Sequence, residues 1–136
     1  MKKPRRSANA RTPGRSLKSS RAFEAFVLDQ LEGVGDVTAR KMFGGVGLYA
    51  RGLFFGIVAR DALYLKVDSE NRADFKAARS KPFRPYADRP GTMKYYEVPV
   101  GVLESAPDLV NWARRAIRAA GRSGRSPSSR ASESDD

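Results

Sequence analysis

The stretch KMFGGVGLYARGLFFGIVARDALYLKV, residues 41–67, decides the fold. It holds three apolar runs, at 41–50, 53–58 and 63–67, divided by Arg51-Gly52 and by residues 59–62. Separators this short fit hairpins, because a parallel crossover needs a dozen or more residues. The three runs are therefore expected to form an antiparallel meander.

Helical patterns flank it. Upstream, Phe23, Phe26, Val27, Gln30 and Leu31 recur at near-helical spacing, with Ser20 as N-cap and Glu24 near the positive end of the helix dipole. Gly33 and Gly35 end that helix. Downstream, Asp68 is placed to cap a second helix through about Arg79, with Phe75 and Ala78 as its apolar edge and Lys81-Pro82 as its stop. Two further strands are expected at 83–87 and 92–98, around a turn at 88–91 that contains Pro90-Gly91. A last helix begins near Ser105, with Pro107 and Asp108 in its first turn. Its apolar residues Leu109, Trp112, Ala113, Ala116, Ile117 and Ala120 follow the strongest periodic pattern in the chain. The order predicts an α+β domain, α-β(3)-α-β(2)-α, with helices packed on an antiparallel sheet.

The 136 residues suit one domain, and neither end reads as core. Residues 1–21 contain two strongly apolar side chains, Met1 and Leu17, so they are expected to form a disordered arm. Residues 121–136, rich in Ser, Arg and Gly, are expected to form a disordered polar tail, leaving 22–120 to fold. The arm carries Lys2, Lys3, Arg5, Arg6, Arg11, Arg15, Lys18 and Arg21 with no acid, which is +8 of the net +11. A nucleic-acid reading therefore rests on the arm, since the rest of the chain is only mildly basic. The start is basic but lacks the apolar run of a signal peptide, and no stretch approaches the length of a membrane span; no membrane role and a cytoplasmic location are expected.

Cys and His are both absent. That excludes disulfides, thiolate nucleophiles and imidazole acid–base chemistry, and no metal or cofactor is expected. The cluster Gly44-Gly45-Val46-Gly47 invites comparison with phosphate-binding loops, yet strand residues follow it where such a loop would open a helix. The glycines are read instead as permitting a bulge or a close backbone crossing. Lys66 beside Tyr64, and Lys94 beside Tyr95 and Tyr96, alternate as strand residues do and are read as side chains snorkelling at a sheet surface. Stacking of nucleic-acid bases on this sheet would need Tyr64, Tyr95 or Tyr96 exposed together. A non-enzymatic protein with no catalytic residues is expected.

Four motifs then occur in order: Met42-Phe43-Gly44-Gly45-Val46-Gly47-Leu48-Tyr49; Leu63-Tyr64-Leu65-Lys66-Val67-Asp68 with Asn71-Arg72; Met93-Lys94-Tyr95-Tyr96-Glu97-Val98-Pro99; and Trp112-Ala113. Together they resemble the TfoX/Sxy N-terminal domain over roughly residues 23–120. YjbR-type domains share a similar order of elements, and the Met-Phe-Gly-Gly run favours the first family. The resemblance implies the same α-β(3)-α-β(2)-α fold, with Met42, Phe43, Gly44, Gly45, Gly47, Tyr64, Lys66, Asp68, Tyr95, Tyr96, Pro99 and Trp112 as structural motif residues. Better-known members regulate natural competence together with the cyclic-AMP receptor protein and carry a second, helical domain; here a short polar tail follows Ala120, as in a single-domain form.

Two functions follow as expectations. One is a regulatory protein that binds nucleic acid non-specifically through the arm, or meets a transcription-related protein. The other is a protein-interaction module with no nucleic-acid role. A second candidate surface is the polar face of the last helix, with Arg114, Arg115, Arg118 and Arg122.

Overall fold

The structure is a computed structural model and describes residues 16–84 and 94–125. In chain order it contains α1 (Arg21–Gln30), a 3-10 turn (Glu32–Val34), β1 (Val37–Met42), β2 (Gly45–Ala50), β3 (Leu53–Ala59), β4 (Ala62–Lys66), α2 (Arg72–Ala77), β5 (Tyr95–Glu97), α3 (Val100–Leu103) and α4 (Ala106–Arg125). The five strands form one antiparallel sheet in the order β1-β2-β3-β4-β5. The α+β class and the antiparallel sheet agree with the sequence pattern. The strands divide differently along the chain: four precede α2 and one follows it.

Turn chemistry explains the difference. The run at 41–50 is not one strand, because Phe43 (φ 52°) and Gly44 (φ 87°) reverse the chain and pair Met42 with Gly45. Arg51-Gly52 and Arg60-Asp61 also have positive φ at both positions, so all three hairpins use the two-residue geometry that matches strand twist. The upstream partner, β1, is largely exposed and polar and lacks an apolar run. At the other end, the expected strand at 83–87 is reduced to a single bridge between Pro82 and Tyr96, and the one at 92–98 to β5. The bridge segment still covers the β5 edge, with Phe83 N–H donating to Tyr95 O (2.8 Å) and Glu97 N–H to Lys81 O (2.9 Å). Residues 85–93 lie outside the described residues.

Helices cover one face of the sheet. Val46, Leu48 and Ala50 of β2, Leu63 and Leu65 of β4, Val27 and Leu31 from the α1 region, and Leu109, Ala113, Ala116 and Ile117 of α4 form one continuous core. In β3 the alternation is broken. Leu48 pairs with Gly56 but Tyr49 with Phe54, so Phe55 is the extra residue of a β-bulge. Phe55 and Val58 consequently both join the helix-side core, while Phe54, Ile57 and Ala59 belong to the opposite face.

Three boundaries are corrected. Residues 16–20 are not an unstructured part of the arm: Leu17 is buried, its N–H donates to Phe43 O (3.0 Å) and its carbonyl accepts from Arg60 N–H (3.2 Å). Ser19 Oγ accepts from Asp61 N–H, Asp61 Oδ1 accepts from Ser20 N–H, and Ser20 Oγ caps α1 through Phe23 N–H. Secondly, α4 continues to Arg125, beyond the tail boundary expected at Gly121. Thirdly, Asp68 does not cap a helix reaching Arg79; α2 is a short helix whose N-cap position is Asn71, and the Asp68 carboxylate accepts instead from Glu70 N–H and Arg122. Residues 1–15 and 126–136 lie outside the described residues.

Candidate functional site

Among the described residues, the face of the sheet opposite the helices has a covered half and an uncovered half. On the covered half, the strap formed by residues 16–20 and the segment around Phe83 lie over Ile57, Ala59 and Tyr64. The strap can approach because Gly45 has no side chain. A Cβ there would stand 2.6 Å from Val58 O and 2.9 Å from Leu17 O. This is the close backbone crossing expected of the glycine cluster. Gly47 has a related role, leaving room for the Met42 sulfur and the rings of Phe54 and Tyr49.

The other half carries a row of aromatic and cationic side chains across the strands. Arg40 of β1 lies over the Tyr49 ring (5.7 Å), Tyr49 stacks on Phe54 (5.1 Å), Phe54 meets Tyr95 (5.3 Å), and Lys66 lies over the Tyr95 ring (5.3 Å). Alternation along each strand brings these residues together. Arg40 is exposed, Tyr49, Phe54 and Lys66 are half-buried, and Tyr95 is buried with its hydroxyl donating to Phe54 O (3.0 Å). Burial pushes the Lys66 ammonium below its ordinary pKa, and nearby Lys94 adds to the shift. Burial also raises the Tyr95 phenol, with Tyr49 adding to the effect. Tyr64 is raised by burial and then by Glu97, which places that carboxylate toward the covered half.

The motif tyrosines are therefore not exposed together. Tyr96 faces the helix-side core against Phe75 (6.2 Å), Tyr95 is buried, and Tyr64 packs on Phe83 (4.9 Å). The aromatic residues that retain surface on this half are Tyr49 and Phe54. Phe54 lay outside every quoted motif; its place on this face follows from the bulge, which sequence alternation does not reveal. Phe43, at the first turn, is 72% exposed. Pro99 starts α3, its carbonyl accepting from Val102 and Leu103 N–H, and Trp112 meets Phe75 edge-on (4.8 Å).

The arginines of α4 are mostly engaged within the chain. Arg114 donates to Gly33 O (2.9 Å), Arg115 pairs with Asp74, and Arg122 makes a two-pronged contact with Asp68 (2.7 and 3.1 Å). The hydrogen-bonded Arg122 guanidinium holds the Asp68 carboxyl below its ordinary pKa. A depressed carboxylate stabilises the fold above its unfolded pKa and loses that contribution as pH falls through the folded value. The difference in melting temperature between the parent chain and Asp68→Asn is accordingly expected to be largest above the ordinary aspartate range and to shrink in acid. A difference that does not change with pH would contradict this assignment.

Of the arm residues, Lys18 and Arg21 are described, and both are exposed. Lys2, Lys3, Arg5, Arg6, Arg11 and Arg15 lie outside the described residues. A cavity of about 140 Å³ between α1 and the β1–β2 hairpin, lined in part by Glu24, Leu28, Ala39 and Lys41, is smaller than the roughly 300–1,000 Å³ of small-molecule sites. Among the described residues, no group of three or more acidic side chains gathers as a metal site, and no helix is long and apolar enough to cross a membrane.

Comparison with curated proteins finds no match. The family model of the TfoX N-terminal domain matches residues 29–120, a span from the end of α1 well into α4 that includes the whole sheet. The chain belongs to the TfoX N-terminal domain family.

Proposed function

We propose that this chain is a non-catalytic regulatory protein that binds nucleic acid without sequence preference, its N-terminal arm supplying the attraction. The observation that carries the reading is the joining of the arm to the body. A run of basic residues with no acid leads into a strap fixed by backbone hydrogen bonds at Phe43 and Arg60. A polycation held at a fixed point draws the phosphate backbone to one side of the domain, and its affinity is expected to fall steeply with salt.

Deleting residues 1–15 tests this while keeping the strap. The truncated chain is expected to lose most of its low-salt affinity for duplex DNA. Its plot of log affinity against log salt should flatten by up to about 5, at roughly 0.9 per neutralised phosphate for the six cations removed. Its melting transition should be nearly unchanged. Equal DNA binding by the two forms would sink the arm reading.

One observation favours the second reading, a protein-interaction module. β1 pairs on one side only among the described residues, with Phe26 and Leu28 exposed on α1. Such an edge can accept a partner strand, although Arg40 and Lys41 on it oppose indiscriminate pairing. Concentration-dependent light scattering without DNA binding at moderate salt would support this reading.

A further inference from the structure

We infer that the uncovered half of the sheet, centred on Tyr49 and Phe54 and flanked by Arg40 and Lys66, is a binding surface for single-stranded nucleic acid. This deepens the proposed function and rests on it. The arm attracts any phosphate backbone, whereas this surface would distinguish unpaired strands from duplex.

Three features of the molecule support this. The first is composition: half-exposed rings with a cation at each end of the row. Single-strand binders pair rings that accept unpaired bases with a groove of cations that follows the backbone. In a duplex the bases are already stacked and paired, so such rings gain little from it. Arg40 and Lys66 now lie over tyrosine rings, the first exposed and the second half-buried, and phosphates arriving beside them would find cations in place.

The second is the distribution of charge. The acids identified on this face lie toward its covered half, where Asp61 is bonded to Ser20 N–H and Glu97 lies near Tyr64. Among the described residues the uncovered half is left with Arg40 and Lys66; Lys94 and Asp68 both act on Lys66 from nearby, and the Asp68 carboxylate is already engaged by Arg122. Its polarity thus suits a polyanion rather than an acidic-and-basic mixed surface.

The third is the path of the chain. Ser16 lies beside Gly44, at the turn of the hairpin that carries Arg40 and Tyr49, and Leu17 lies on this same face. Residues 1–15 therefore join the body at the Phe43-Gly44 turn, at one end of this face, with Tyr49 five residues further along the hairpin, about 16 Å at roughly 3.3 Å per residue. Two other exposed apolar positions, Phe26 and Leu28, are on α1, on the helix side, where the acidic Glu24 lines the same cavity as Leu28 and Lys41.

The test uses the full-length chain, with binding followed by fluorescence anisotropy against labelled single-stranded oligothymidine and a matched duplex. The parent chain is expected to prefer the single strand. Tyr49→Leu should weaken oligothymidine binding by about five-fold or more, the loss expected for one stacked base, while leaving duplex binding unchanged. Tyr49→Phe, which keeps the ring, should bind like the parent. Arg40→Glu, at an exposed position that can be changed without opening the core, should also weaken single-strand binding more than duplex binding. Parent-like oligothymidine binding by both Tyr49→Leu and Arg40→Glu overturns the inference. Duplex binding with no single-strand preference overturns it too but leaves the arm reading intact, whereas no binding to either nucleic acid removes both.

Discussion

Replacing Phe55 with Ala is expected to destabilise the fold by about 3–5 kcal/mol, a large share of the roughly 5–15 kcal/mol that holds a domain together. The side chain is fully buried and belongs to the residue that the bulge adds to β3, so its ring is directed into the helix-side core. The site has little means of closing over a cavity. Its neighbour Gly56 has no side chain to move in, and Leu48 and Leu65 already stand close to the position a Gly56 Cβ would take, at 3.3 Å each. On the other side, α4 is a long helix that packs chiefly on β3 and also on β4, so it is held against both strands. Urea unfolding should show a much lower midpoint with an unchanged slope. A loss below about 1 kcal/mol, the level of a volume-conserving swap, would mean that the bulge relaxes and that Phe55 is not the keystone of this packing.

Gly45→Ala should rank next, at about 1–3 kcal/mol or more, the range for forcing an extra methyl into a packed site. The backbone at Gly45 is not in the left-handed region, so the expected cost is one of space. The two nearest atoms to the added methyl are main-chain carbonyl oxygens, of Val58 and Leu17, which cannot rotate away as a side-chain tip can. Of the two, Leu17 is held by fewer partners, because it belongs to a strap and Val58 to a central strand. The strap should therefore yield first. Hydrogen exchange would reveal this as faster exchange at the Leu17 and Arg60 amides, the donors of the two backbone–backbone bonds at Leu17, with the amides of α4 slowed or quickened only in step with global stability. Unchanged protection at Leu17 and Arg60 would show that the sheet, and not the strap, has absorbed the methyl.

Much of the fold was legible because local chemistry agreed with tertiary structure. The α4 pattern from Leu109 to Ala120 needed no context, since helical spacing and a single buried face coincide. Ser20 was readable as an N-cap for the same reason. The elements that escaped were set by partners distant in sequence. The strand β1 is polar because it is an edge, and an edge strand with one exposed side looks like a loop. The turn at Phe43 was hidden because Phe is an unusual residue at positive φ, so the apolar run appeared continuous across it. Leu17 read as one apolar residue in a polar arm, and only the gap at Gly45 reveals its seat.

The candidate site was legible in kind but not in membership. The Lys and Tyr alternation marked a sheet surface, and Lys66 does lie on one. Which tyrosines remain accessible depended on which half of the face the strap and Phe83 cover. The arginines of α4 formed a plausible surface in sequence, yet Gly33, Asp74 and Asp68, brought near by folding, engage three of the four.

The strap also gives the arm two possible lengths. With Leu17 seated, the tether ends at Ser16 beside the Phe43 turn; with Leu17 released, it ends at the Ser20 cap of α1. The meander is joined by short loops, whereas the backbone bonds of the strap reach the Phe43 and Arg60 turns and therefore depend on both being built. Opening frees four more residues, or about 13 Å of extended chain at roughly 3.3 Å each. Seating one leucine thus shifts, by that amount, the point at which the preceding chain leaves the body.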